Sequence, residues 1–144
     1  MRRMPIIFGY AGIIPFLLIT LFMVFSDMVG QNLKSGAILQ VAYAAMILSF
    51  LGGAHWGQAI PRNHEKQIKF SMLPTIAGFC LFLLAVFGFD FSALIGTAGM
   101  FYAVYVADKK MMPVDLMPPG FFKFRRNLTF IVIALLLISA ATVF

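Results

Sequence analysis

His55 is the side chain in this sequence best placed to do chemistry. It sits in Gly52-Gly53-Ala54-His55-Trp56-Gly57-Gln58, with no charged neighbour. An ionisable group inside an apolar stretch of membrane length is costly to keep there and marks a candidate working site. An imidazole can hold a ligand, pass a proton or bind a metal. Further along, Tyr102, Tyr105 and Asp108 follow at i, i+3 and i+6, which stacks them on one helix face. Tyr10, Trp56, Gln58 and Arg126 complete the ligand-binding candidates. Each has a plainer reading. Tryptophan and tyrosine collect at bilayer surfaces as aromatic belts, and a histidine near a helix end can be an interfacial or packing residue.

Several chemistries are not supported. His55 and His64 are the two histidines, and Asp108 is the nearest plausible carboxylate, so no metal site is expected. Cys80 stands alone in an apolar stretch and reads as a small apolar residue. There is no Gly-rich phosphate loop, no His-Glu-x-x-His and no Gly-x-Ser-x-Gly. No second catalytic group stands at a definite spacing from His55. The expectation is therefore no catalytic residue, no cofactor and, on balance, no enzyme.

The elements that carry these residues are membrane spans. Hydrophobic residues make up 62% of the 144, the mean hydropathy is +0.96, and 11% are charged. Soluble domains carry roughly 25% charge. A spanning helix needs about 20 apolar residues, and five stretches qualify: 5–26, 36–60, 68–88, 91–107 and 127–144. The apolar runs are continuous, which favours helices over the alternating pattern of a barrel. The fourth and fifth are short and should stand nearly upright. The first is read as a retained helix, not a cleaved signal peptide.

Charge fixes an orientation. Ten of the 11 Lys and Arg fall at the N-terminus, in the second and fourth loops or, for Lys69, just inside the span after the second loop; Lys34 alone falls in the first. Basic loops stay in the cytoplasm. The fold class is thus all-α: a polytopic membrane protein, a bundle of five transmembrane helices, with the N-terminus cytoplasmic and the C-terminus outside. The chain reads as one transmembrane domain over residues 1–144, in the bacterial cytoplasmic membrane.

Depth then organises the candidates. His55 lies about 10 Å past the middle of its span at 1.5 Å per residue, towards the cytoplasm. Tyr10, Thr75, Tyr102 and Tyr105 fall in the same half, and the outer halves are poorer in polar groups. Gln58 and Gln40 lie near the His55 face. Buried polar groups need partners, so a shallow cavity open to the cytoplasm is expected. On the second span Ala45, Ser49, Gly53 and Gly57 recur every four residues. Such a ridge lets another backbone approach, either within the chain or at a homodimer seam through Gly53 and Gly57. Pro15 and Pro74 should bend their spans. The fourth loop, Asp108–Arg126, ends in Phe121-Phe122-Lys123-Phe124-Arg125-Arg126, a pattern suited to the headgroup layer or to partner docking. It is too short and too near a span for nucleic acid.

Four stretches carry a family resemblance. Gly9-Tyr10-Ala11-Gly12-Ile13-Ile14-Pro15-Phe16, Ser49-Phe50-Leu51-Gly52-Gly53-Ala54-His55-Trp56-Gly57, Tyr105-Val106-Ala107-Asp108 and Arg125-Arg126-Asn127-Leu128-Thr129 resemble an uncharacterised bacterial family related to mitochondrial transmembrane protein 69. The resemblance spans nearly the whole chain, and its most specific part surrounds His55. It implies a small five-helix inner-membrane protein, brings no activity, and adds weight to His55, Trp56, Asp108 and the Arg125-Arg126 pair. The expected role is an accessory or assembly subunit that packs against other membrane proteins. The alternative is a binder or carrier of a small or lipophilic molecule, with a cytoplasm-facing pocket around His55.

Overall fold

The computed structural model describes residues 3–30 and 34–144, with Lys34 by its backbone alone. Arg2, the centre of the first loop and the Lys34 side chain lie outside the described residues. Seven α-helices form among the described residues: α1 (Arg3–Ala11), α2 (Ile14–Met28), α3 (Lys34–Arg62), α4 (Glu65–Ser71), α5 (Leu73–Val86), α6 (Asp90–Met111) and α7 (Phe121–Thr142). No strand occurs among the described residues. Among the described residues, five helical stretches are long and apolar enough to cross a membrane: α1 with α2, α3, α4 with α5, α6, and α7.

Two of these stretches are broken, and proline stands at each break. Pro15 and Pro74 each occupy the first turn of the second segment, where a missing N–H costs least. The chain turns at Gly12-Ile13 and again at Met72. A neighbour compensates at the first break: the Tyr43 hydroxyl of α3 donates to the Gly12 carbonyl at 2.8 Å. Each break sets off a short segment at the basic end of its span, α1 in one and α4 in the other. That arrangement shapes the site described below.

Several boundaries differ from the hydropathy reading. The fourth span runs to Met111, and the fifth begins at Phe121, inside the expected loop. Lys123, Arg125 and Arg126 depress local hydropathy there, yet Gly120 takes a left-handed φ of 81° and the helix starts directly after it. The Pro118-Pro119-Gly120 run ends the connection. Both spans are 22 residues long, so neither is short.

The bundle is built around α3, which packs against α2, α4, α5 and α6, while α6 and α7 form a second close pair. Phe16, Met23, Val41, Leu48, Leu94, Phe101, Val104 and Leu136 fill its core. The outside is equally apolar: Phe50 is 73% exposed, Met46 68%, Phe25 67% and Phe79 60%. A water-soluble monomer rarely leaves such continuous patches bare, and hydrocarbon is the solvent that suits them.

Close packing on α3 runs through Ala45 and Gly52. A Cβ on Gly78 of α5 would lie 3.1 Å from the Ala45 Cβ, and one on Gly52 would overlap the Ser71 carbonyl of α4. Gly53 and Gly57 face open space, with nothing within 4 Å of an added Cβ. The expected small-residue ridge therefore divides. Its Ala45 end packs inside the chain, and its glycine end does not.

Candidate functional site

Four helices bring polar side chains to one place at the basic end of the bundle. His55 comes from α3 and Asp108 from α6; both are almost fully buried, at 0% and 1% exposure. His55 Nε2 meets Asp108 Oδ1 at 2.6 Å. From α7, Arg125 donates through Nε to Asp108 Oδ2 at 2.9 Å, with Nη2 2.7 Å from the same oxygen. From α4, Gln67 Nε2 lies 2.8 Å from His55 Nδ1 and 3.3 Å from Gln58 Oε1. Arg62, exposed at the end of α3, donates to Gln67 Oε1.

Local structure explains how Gln67 arrives. Asn63 takes a φ of 53°, reversing the chain, and His64 caps α4 by accepting the Gln67 backbone N–H on Nδ1 at 3.1 Å. The short α4 then folds back along α3. Gly52 permits the close approach at Ser71, and the Phe70 ring stands edge-on to the imidazole, with centroids 5.3 Å apart.

The partners fix the hydrogen positions. A guanidinium only donates, so the Gln67 atom facing Arg62 is its carbonyl oxygen. The Gln67 amide nitrogen therefore faces His55 and donates to Nδ1. Nδ1 carries no hydrogen, so Nε2–H donates to Asp108. The chain of donors runs Arg62, Gln67, His55, Asp108, and Arg125 closes it from the far side. His55 is neutral in this arrangement, and the Asp108 carboxylate is balanced by Arg125. Buried charges are tolerated when paired and hydrogen-bonded in this way.

A cavity of about 470 Å³ adjoins the network. Phe8, Gly9 and Gly12 of the first span, Ile47, Phe50 and Ala54 of α3, Phe101 of α6 and residues 124–132 of α7 contribute to its wall. Arg125 is the charged side chain among its lining residues. Phe8 and Phe50 also stand on the exposed outer surface, so the cavity reaches the lipid-facing side between α1 and α3. Thr129 lines it too, 1% exposed, and its Oγ1 has no hydrogen-bond partner among the described residues. That is unusual here: Thr97 and Ser49 return their hydroxyls to the carbonyl four residues back, at 2.6 and 3.0 Å.

Not all sequence candidates converge. His55, Gln58 and Asp108 do. Tyr105 is buried beside them but packs on Phe130, with the Lys109 ammonium 5.7 Å from its ring centre. Tyr10, Trp56 and Tyr102 are 39%, 47% and 53% exposed, and Arg126 is exposed as well. Tyr10 instead meets Phe124 edge-on at 5.6 Å. Thr75 is also on the outer surface. Of the expected lining Tyr10, His55, Gln58, Tyr102 and Tyr105, with Asp108 and Arg126 at the mouth, the structure leaves Tyr10, Tyr102 and Arg126 on outward-facing, exposed positions. Arg125, one position earlier, reaches Asp108 in place of Arg126.

Gln40 is also elsewhere, about 22 Å from His55 along α3 at 1.5 Å per residue. There its Nε2 donates to Thr20 Oγ1 at 2.8 Å and Ser139 Oγ at 3.0 Å, and its Oε1 has no partner among the described residues. Buried polar groups thus occupy two depths instead of one. Gln67 and Arg62 were not singled out in the sequence. A glutamine among charged residues in a short connection gives no signal; His64 three residues before it, a possible helix cap, is the only hint. No group of three His, Cys, Asp or Glu able to hold a metal ion occurs among the described residues.

Comparison with known proteins adds a family. A family model described as "Protein of unknown function (DUF3429)" matches residues 1–141. Transmembrane protein 69 of Xenopus tropicalis is 48% identical over 59 residues, which is 41% of this chain and 22% of that protein. The match thus spans about a fifth of the relative's length. No solved structure matches.

Proposed function

The chain belongs to the DUF3429 family, and from that premise we propose that it holds a lipophilic molecule inside the membrane, in the cavity beside the His55–Asp108–Arg125 network. One observation carries this reading. A cavity of about 470 Å³ is apolar over nearly all of its lining and has one guanidinium on its wall. Small-molecule sites occupy about 300–1,000 Å³ and combine apolar walls with a few fixed polar groups. The cavity adjoins the lipid-facing surface at Phe8 and Phe50, so an apolar guest has a route from the bilayer. The network holds Arg125 still from behind, and a fixed polar group is what orients a guest. The chain acts as one transmembrane domain over residues 1–144.

The reading includes an orientation and a location. The N-terminus lies in the cytoplasm, the C-terminus outside, and the membrane is the bacterial cytoplasmic one. The clustering of basic residues at the His55 end supports this. That places the cavity towards the cytoplasmic leaflet.

A second reading has its own support. Gly53 and Gly57 face open space beside exposed Phe50, Trp56 and Ile60. This face suits another membrane helix, either from an unrelated membrane protein or from a second copy. An accessory subunit would use it.

Native mass spectrometry of protein released from its own membrane tests the primary reading. A retained lipophilic adduct is expected on the unaltered chain, and loss of that adduct is expected in Ala54→Phe, which fills the cavity. Adduct-free spectra of the unaltered chain, or equal retention by Ala54→Phe, would refute the cavity as a binding site. Recovery of a stable larger complex in mild detergent would favour the second reading.

A further inference from the structure

Charge balance around Arg125 says what the guest's polar end must be. Arg125 faces the cavity but spends its charge on Asp108, at 2.7 and 2.9 Å. His55 is neutral, because Gln67 donates to its Nδ1. Among the described residues no positive charge is left over at the wall. An anionic guest would compete with Asp108 for the guanidinium. It would leave a carboxylate, 1% exposed, held by one neutral imidazole. Such an unpaired buried charge is strongly disfavoured.

Hydrogen-bond donors, in contrast, are in surplus. A guanidinium offers five N–H groups; Arg125 hydrogen-bonds Asp108 through Nε, while Nη2 lies in ion-pair contact at 2.7 Å and has no hydrogen-bond partner among the described residues. The Thr129 hydroxyl, one helical turn beyond Arg125, is buried and has no hydrogen-bond partner among the described residues. Both side chains line the cavity. A buried donor left unmade is costly, and an uncharged acceptor satisfies it without disturbing the Arg125–Asp108 pair.

We propose that the guest is an uncharged, single-tailed lipophile whose polar end is a carbonyl oxygen, as in an ester, ketone or quinone, received by Thr129 and Arg125. The inference rests on the cavity being the binding site. A volume of about 470 Å³ lies in the lower part of the range for small-molecule pockets, which suits one tail better than two.

Two photoactivatable probes with the same diazirine-bearing alkyl chain test it, one ending in a methyl ester and one in a sulfonate. Each is presented to the full chain in nanodiscs, and labelled peptides are mapped. The ester is expected to label residues 8–16 and 124–132 about tenfold more than the sulfonate. Thr129→Val should cut ester labelling about fivefold, and Thr129→Ser should restore it. Equal or stronger labelling by the sulfonate would overturn the carbonyl assignment. So would ester labelling indifferent to Thr129→Val in a protein that remains monodisperse. If that variant does not fold, the ester-to-sulfonate ratio on the unaltered chain decides alone. Ala54→Phe separates the two levels. If it abolishes labelling by both probes while the sulfonate is preferred, the cavity stands and the carbonyl fails. If it changes neither, the cavity itself is refuted.

Discussion

At the scale of residues, the network around His55 is a set of mutual obligations. Removing Asp108 leaves Arg125 without its counter-charge and the imidazole Nε2–H without an acceptor. Asp108→Ala is expected to cost about 3–5 kcal/mol, read as a lower thermal midpoint in detergent. His55→Ala combined with Asp108→Ala should cost less than the sum of the two, since they share a contact. Gln67→Glu makes a sharper case. The new carboxylate keeps Arg62 but offers His55 Nδ1 an acceptor in place of a donor. The ring is then expected to hold hydrogen on both nitrogens, visible in its ¹⁵N resonances; an unchanged Nδ1 signal would contradict the assigned donor chain. His55 is legible in the sequence as a polar residue in an apolar stretch, and Asp108 as the third residue of the Tyr102–Tyr105 face, just past one. Their partnership is not, because they stand 53 residues apart and nothing in either stretch names the other.

At the scale of elements, the two broken spans do most of the shaping. Pro15 and Pro74 could be read as kinks in the sequence, and both stand at breaks. What the short segments reach could not be read. One carries Gln67 to the imidazole, and the other leaves room between α1 and α3. Glycines also needed the structure to be told apart. Four small residues at regular spacing looked like one ridge, yet the tight contact falls on Gly52, which the spacing omits. Gly52→Ala is expected to lose about 1–3 kcal/mol through overpacking against Ser71 and to loosen Gln67 from His55. Gly53→Ala should be neutral or stabilising by up to about 1 kcal/mol, as an alanine in an open helix position. Paired thermal melts of the two variants check this, and equal losses would contradict it. The start of α7 was misjudged because cations lower hydropathy without breaking a helix.

At the scale of the whole molecule, five spans and their all-helical character followed from composition and run length alone. The outer surface confirms lipid as solvent in a way hydropathy cannot, since it shows which large apolar side chains are left uncovered. The orientation is testable. A fluorescent reporter joined after Lys110 should light up in the cytoplasm, and an alkaline phosphatase joined after Gly88 should be active outside. The reverse pattern would place the cavity in the other leaflet. One contact couples the water-facing rim to the interior. Arg62 is exposed at the end of α3, and its guanidinium on one side, with Gln58 Oε1 on the other, sets which way the Gln67 amide is turned. An exposed cation is thereby joined through one amide to an imidazole that is fully buried. A change made at the open end of this relay, such as Arg62→Ala, therefore reaches a side chain that no solvent touches.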